Sequence, residues 1–250
     1  VATLREGDDV LLATRLGRCI RFQATDEQLR VFAGRDSSGV RGIRLAEGKN
    51  PDSVISLSVL RHVEASPDER AAFVRGANAR RRSGDEEGEA SAAAESEEAA
   101  GEEAGAEVVL SPERIAELEV AEEMLLTVTD GGFGKRSSAY EYRVTGRGGQ
   151  GIVAITLTPR TGRAVAGTLP VRAGDDVMLV TDAGRLIRLP VDQVRITGRG
   201  AMGVTLFRLD SGERVTSVFP VVDDGSDENG DSTRPASNEG GAEEGDDPHG

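Results

Sequence analysis

Short apolar runs, broken by turns rich in glycine and aspartate, recur along this chain in sets of four. In the stretch 174–222 the runs fall at 177–181, 186–191, 203–209 and 214–221, with Asp182-Ala183-Gly184 and Asp210-Ser211-Gly212 as two of the breaks. Runs of this length, bounded by glycine and aspartate, read as β-strands and not as helices. The same succession appears at 124–129, 134–142, 151–157 and 163–171, and at 10–14, 19–23, 39–45 and 53–60. The chain is therefore an array of units of about fifty residues, and any function must be read per repeat.

Each unit carries the same internal signals. It opens with an acidic residue and an apolar run: Asp9-Val10-Leu11-Leu12, Glu123-Met124-Leu125-Leu126 and Asp176-Val177-Met178-Leu179. A glycine followed by a basic residue comes next, as Gly17-Arg18, Gly134-Lys135 and Gly184-Arg185. Then comes an arginine, three residues, a glycine and a β-branched residue: Arg35 to Gly39-Val40, Arg147 to Gly151-Ile152, and Arg199 to Gly203-Val204. Four strands per unit is the arithmetic of a propeller blade, and the predicted fold is all-β with propeller-like blades of four strands. Three blades cannot close a ring. Since Val1 is not a methionine and runs directly into strand-like sequence, the chain reads as a fragment whose other blades are expected before Val1.

The predicted organisation is the end of one blade plus a full blade over 1–63, an insertion over 64–121, blades over 122–173 and 174–222, and a tail over 223–250. Within the insertion, Pro67 to Arg82 fits a short helix bearing Arg70, Arg75, Arg80, Arg81 and Arg82, and Ser111-Pro112-Glu113 fits a helix start leading through Ile115 and Leu118. Between them, 84–107 is Glu/Ala/Gly-rich without apolar periodicity, a composition that predicts disorder; the tail is predicted disordered for the same reason.

Charge changes the picture. The net charge is −14 over 250 residues, which taken whole argues against a nucleic-acid partner. Yet 84–107 holds ten acids and no Lys or Arg, and 223–250 holds ten acids and Arg234 alone. Setting aside these segments, at −10 and −9, leaves +5 on the parts predicted to fold. Of the 30 basic residues 28 are arginine, the side chain suited to bidentate phosphate contact, although a GC-rich genome produces the same bias. The single cysteine, Cys19, precludes an intramolecular disulfide, and with only His62 and His249 it cannot build a metal cluster. A reduced, cytoplasmic setting is expected. No apolar run is long enough to span a membrane and no membrane partner is expected.

Catalytic chemistry finds no constellation. His62 sits at a blade's end and His249 in the tail, neither beside a nucleophile. Tyr140 and Tyr142, at alternating spacing on a predicted strand, should face one side of the sheet as packing. The glycines of Gly146-Arg147-Gly148-Gly149-Gln150-Gly151 precede a strand instead of a helix and lack the Lys-Ser/Thr ending of a phosphate loop. The repeated motif instead offers a basic rim: glycine lets backbone N–H groups approach phosphates, and an arginine at the same point of each blade spaces positive charge for a long polyanion. The competing structural reading has the glycines making turns between blades and each arginine clamping a neighbouring blade's carbonyls.

The segments Thr127-Val128-Thr129-Asp130-Gly131-Gly132-Phe133-Gly134-Lys135-Arg136 and 140–151, with Ile20 to Glu27 and Gly198 to Val204, resemble the C-terminal domain of the DNA gyrase A protein. The resemblance covers essentially all of 1–63 and 122–222. It implies a six-bladed β-pinwheel whose blades exchange strands with their neighbours and whose basic rim wraps DNA, with this chain as the second half of the ring. The candidate DNA-binding residues are then Arg18, Arg35, Arg41, Lys135, Arg136, Arg147, Gly148, Gly149, Gly151, Arg185 and Arg199. The family's hallmark box, Gln-Arg-Arg-Gly-Gly-Lys-Gly, is missing; residues 146–151 match a related version with Gln150 in place of the lysine.

The implied partners are double-stranded DNA, the remainder of the gyrase A protein, and the gyrase B protein in an A2B2 heterotetramer, located in the bacterial cytoplasm with the chromosome. No cofactor is expected in this chain, with ATP and Mg on the gyrase B protein; no catalytic or metal residue is expected either. Two alternatives stand beside this reading: the related C-terminal domain of topoisomerase IV, and a protein-binding propeller with acidic tails.

Overall fold

The computed structural model describes residues 1–84 and 108–221; of the segments predicted disordered, 84–107 and 223–250, all but Gly84, which ends a helix, lie outside the described residues. Three antiparallel sheets follow one another along the chain. The first has the order β3 (Val54–Leu60), β1 (Asp9–Thr14), β2 (Arg18–Gln23), β6 (Ile152–Val153). The second has the order β7 (Val165–Val171), β4 (Met124–Thr129), β5 (Phe133–Ser138), β10 (Val204–Thr205). In the third, β11 (Val215–Val221), β8 (Asp176–Thr181) and β9 (Leu186–Pro190) stand alone. The expected all-β, propeller-like architecture is present, with four strands in two sheets and three in the last.

Alternation along the strands builds the core between sheets, as a period of two must when both faces are covered. Leu11, Ala13, Cys19 and Leu60 of the first sheet pack on Leu125, Ala139, Tyr142 and Ala154 of the next repeat. Leu126, Val128 and Val171 meet Val177, Leu179, Val191, Val194 and Val215 in the same way. Strands β3, β7 and β11 lie side by side along one margin, where Ser58 Oγ donates to Thr168 O at 3.4 Å and Gly167 faces Val218. Strands β2, β5 and β9 lie on the opposite, outer side of each unit, where β6 and β10 pair onto the first two.

The outer margin is where repeats trade strands. After Tyr142, the chain of the second repeat leaves its own sheet and runs along β2, with Arg21 bridging Val144 and Cys19 opposite Ile152. The third repeat does the same along β5, with Arg136 bridging Ile196 and Gly134 opposite Val204. These incoming strands are two residues long, shorter than the predicted runs 151–157 and 203–209. Pairing stops early because Ala154 N and Ile155 N both turn onto Gly17 O, while Leu206 N turns onto Gly132 O. The predicted strand 39–45 is not formed: that segment lies over its own sheet, with Ile43 buried among Val10, Ile20 and Phe22.

Three further expectations change. The predicted run 134–142 ends at Ser138, whose side chain accepts from Tyr140 N and caps a 3-10 turn over Ala139–Glu141. Tyr140 and Tyr142 therefore lie on and after a turn instead of a strand, although both pack. Tyr140 donates to Leu118 O at 2.9 Å and meets Phe73 edge to face at 5.4 Å, and Tyr142 is fully buried with its hydroxyl 2.8 Å from Ser137 Oγ. Second, the hairpins align on Gly17, Gly132 and Gly184, whose N–H groups donate to Thr14, Thr129 and Thr181 carbonyls at 3.0, 3.2 and 3.0 Å. The counterpart of Gly17-Arg18 and Gly184-Arg185 is thus Gly132-Phe133, and Lys135 stands where Ile20 and Ile187 stand. Third, the residue matching Asp9 and Asp176 is Met124; Glu123 instead accepts from Arg61 N at 2.9 Å.

The insertion joining the first two repeats contributes two helices, α1 (Pro67–Gly84) and α2 (Pro112–Ala121). Ser111 caps α2 by accepting from Arg114 N, with Pro112 at the first turn, where its missing N–H costs nothing. Phe73 and Ala77 of α1 close with Leu118 of α2 over Tyr140. Arg70 fastens the start of α1 by donating to Val63 O and Ala65 O.

Candidate nucleic-acid interface

The two exchanged segments carry near-identical pentapeptides, Arg143-Val144-Thr145-Gly146-Arg147 and Arg195-Ile196-Thr197-Gly198-Arg199. Thr145 N and Thr197 N bond to the carbonyls of Arg21 and Arg136 at 2.8 and 2.9 Å, which docks each segment on the neighbouring sheet. The glycine just before each incoming strand is dictated by the closeness of that docking. A Cβ on Gly151, already at φ +67, would lie 2.2 Å from Cys19 O, and one on Gly203 would lie 2.6 Å from Gly134 O. These glycines admit a neighbouring backbone.

The closing arginines of the pentapeptides are clamps. Arg147 donates through Nε to Gln28 O and through a terminal nitrogen to Arg41 O at 3.2 Å. Arg199 donates to Glu141 O at 3.0 Å and to Val153 O, and its backbone N–H reaches Glu141 Oε2. Arg18 holds the loop from the other side, donating to Gln150 O and Gly151 O, both at 2.9 Å. Gly148 N donates to Gly42 O at 2.6 Å, and Gly149 O accepts from Arg44 N at 2.8 Å. The structural reading of the motif accounts for part of each of these side chains, which bond backbone carbonyls across the repeat boundary.

Lys135 departs furthest from what its place in the sequence suggests. It is fully buried, with its ammonium donating to Gly198 O at 2.9 Å and to Arg199 O. It cannot reach DNA without unfolding the exchange, because it occupies the apolar position that Ile20 fills in the first repeat. Burial pushes its pKa down to about 7, against the nearby Glu141 carboxylate. Burial in turn pushes the Glu141 carboxyl up, opposed by the Arg199 N–H bond and by the charges of Lys135, Arg199 and Arg81.

Arg136 is likewise largely occupied, with Nε on Val194 O at 2.7 Å and a terminal nitrogen on Asp192 Oδ1 at 3.1 Å. Arg185 pairs with Glu213 at 2.6 Å and Asp210 at 3.4 Å. Arg35 and Arg41 lie exposed on the segment that folds back over the first sheet. The eleven candidates thus divide into a carbonyl-bound group at the exchange boundaries and a smaller group facing solvent.

Two arginines outside the set named from the sequence complete the outer margin. Arg143 and Arg195 open the two pentapeptides at equivalent positions, both are exposed, and no ion pair to either occurs among the described residues. Their signal is the identical Arg at the first and fifth places of each pentapeptide, which marks a pair, whereas the three-repeat motif picks out the second member alone. Arg143 also lines a cavity of about 310 Å³ beside Arg21, Thr145 and Gly149, under the arch of the first exchanged segment. Among the described residues no three His, Cys, Asp or Glu side chains converge as a metal site requires. No helix of the described residues is long and apolar enough to cross a membrane.

A family model described as DNA gyrase C-terminal domain, beta-propeller, matches residues 8–61, 123–166 and 175–221. The DNA gyrase A protein of Granulibacter bethesdensis is 66% identical over 251 residues, which covers 99% of this chain and 26% of that protein. Its Rickettsia bellii counterpart is 45% identical over 232 residues, covering 93% of this chain and 24% of its own length. This chain therefore spans about a quarter of the curated relatives it matches. Among solved structures, the C-terminal domain of DNA topoisomerase IV aligns with a TM-score of 0.55 at 17% identity, over 86% of this chain and 47% of that one, a likeness of fold.

Proposed function

The chain belongs to the family of DNA gyrase C-terminal β-propeller domains, and from that premise we propose that it is a part of the gyrase A protein that binds and wraps duplex DNA along the outer margin of its sheets. The observation that carries the reading is the paired pentapeptide. Its closing arginine is spent on carbonyls, which fixes the arch, while its opening arginine, Arg143 or Arg195, is held exposed at a repeating position. A row of positioned guanidinium groups suits phosphates at intervals along a duplex, and Arg143 and Arg195 are carried on extended segments instead of a groove-reading helix, so binding follows the backbone. Arg35 and Arg41 extend the row over the first sheet. In the whole enzyme, wrapping would serve ATP-driven negative supercoiling, with the remainder of the gyrase A protein and the gyrase B protein in an A2B2 assembly supplying cleavage and ATP chemistry in the bacterial cytoplasm.

The division of labour between the two arginines of each pentapeptide is testable. Arg143→Gln with Arg195→Gln should weaken duplex binding and lower the slope of log affinity against log salt by about 2, one phosphate each, with the unfolding midpoint unchanged. Arg147→Ala and Arg199→Ala should act on folding first, each lowering stability by about 1–3 kcal/mol, because each removes two charged hydrogen bonds to carbonyls across the repeat boundary. Unchanged DNA affinity in the Arg143/Arg195 double variant refutes the assignment.

A further inference from the structure

The inserted helix α1 has no counterpart between the second and third repeats, which are joined directly by the turn Arg172 to Asp175. Its inner side is accounted for by Arg70, Phe73 and Ala77, which pack over Tyr140. Its outer side is not. Ala71, Arg75, Ala79 and Arg82 are exposed at spacings of four, four and three, a single helical stripe, and Arg80 is exposed beside it. No acidic partner for Arg75, Arg80 or Arg82 occurs among the described residues.

The place of this stripe is fixed by its neighbour Arg81. Arg81 reaches Glu122 at 3.4 Å, and its charge also acts on Glu141, the residue whose carboxylate receives Arg199 N. The C-terminal end of α1 therefore stands next to the second exchanged segment, where Arg195 and Arg199 lie. Among the described residues, the two acids shown beside that end, Glu122 and Glu141, are already engaged by Arg81 and Arg199. The acidic turn of the helix, Asp68 and Glu69, lies at its far end, where Glu69 is held by Arg114.

We propose that α1 is an added DNA-contacting element, with Arg75, Arg80 and Arg82 taking phosphates of the duplex as it passes from one exchanged segment to the next. The inference rests on the wrapping function proposed above. The occupant is a polyanion because three guanidinium groups on about two helical turns can be neutralised together only by closely spaced negative charge, and duplex DNA supplies it with about 1.7 Å of axis per charge. The chain's own acidic stretch, 85–107, is the competing occupant, and the test separates the two.

In the assembled enzyme containing the full-length protein, Arg75→Gln, Arg80→Gln and Arg82→Gln are combined. Glutamine keeps the helix propensity close to that of arginine, and an unchanged helical circular-dichroism signal and unfolding midpoint confirm the fold. With a linear, mixed-sequence duplex as probe, the salt slope should fall by about 2 to 3, and less DNA should be protected from nuclease. The Arg143/Arg195 double variant runs alongside. If it alters the slope and the α1 variant does not, this inference is overturned and the wrapping reading stands; if unmodified enzyme shows no salt-dependent binding through this region, both fall. If the α1 substitutions matter only after 85–107 is replaced by a neutral linker, the acidic stretch is the occupant and the proposal is wrong.

Discussion

The second and third sheets are built from the same unit, yet one is sealed and the other is bare along its outer strand. On β5, the third repeat supplies β10 and the bridge from Ile196, so Arg136 is 12% exposed and its guanidinium rests on Val194 O and Asp192. On β9, no strand arrives among the described residues: the equivalent Arg188 is 60% exposed with Asp176 as its partner, and Leu186 is 67% exposed. The first sheet agrees with the second, since Arg21 is 2% exposed beneath the incoming segment and pairs with the buried Asp9. Burial of an outer strand is therefore a property of the boundary between repeats. A unit completes its neighbour and not itself, which is why nearest-neighbour interfaces dominate the energetics of such arrays.

The comparison breaks most sharply at glycine. Gly151 and Gly184 both have positive φ, at +67 and +82, but a Cβ on Gly151 would sit 2.2 Å from Cys19 O whereas one on Gly184 meets open space. Gly184→Ala should cost about 1 kcal/mol, the ordinary penalty of the left-handed conformation. Gly151→Ala should cost about 3 kcal/mol or more, since strain and backbone overlap add, and should expose Cys19 to thiol reagents. Equal costs in urea unfolding would mean that the exchange at β2 contributes no more than a surface turn.

Lys135 sharpens the comparison from the sealed side. Its pKa, pushed down to about 7 from an ordinary 10.5 by burial, means that between those values the unfolded chain binds more protons than the folded one. Stability contributed at this site therefore rises as pH increases from about 7. Cys19 and Tyr140, pushed up to about 12 by burial, act in the opposite sense at higher pH, so the clean window is about pH 7 to 8.5. Lys135→Ile copies the residue of the first repeat and removes the titration. The difference in unfolding free energy, unmodified minus variant, should grow with pH across that window; a flat difference would show that the two carbonyl contacts keep the ammonium charged.

The repeats, the strand order within a hairpin and both ends of the insertion are readable in the sequence, because these depend on local periodicity, turn residues and caps such as Ser111. The sequence misleads where geometry between repeats decides. Gly134-Lys135 looks like the step Gly17-Arg18, but the hairpin is registered on Gly132, and a basic residue two places along falls in a core position. Recurrence singles out Arg147 and Arg199, while their contacts lie 46 to 119 residues away in sequence, beyond the reach of any local pattern. Arg143 and Arg195 are legible as the first members of the repeated pentapeptide, and only the docking of Val144 and Ile196 shows why they are left outward.

The smallest effect concerns the bare edge itself. Leu186 is exposed on β9, an unpaired edge among the described residues, with Leu186 and Ile187 the uncharged pair between Arg185 and Arg188. Unpaired edges template association with other strands, and a lysine placed on one is a common natural block. Leu186→Lys should change unfolding free energy by no more than about 0.5 kcal/mol, since little is buried there. It should nevertheless lower concentration-dependent self-association of the 250-residue chain in sedimentation velocity. The matching change on the sealed margin, Cys19→Lys, acts on a residue buried in the cluster of Leu11, Leu125 and Tyr142, and should unfold the first sheet instead. If Leu186→Lys leaves association untouched, the contrast between the two margins stops at burial and the third sheet's edge attracts no strand.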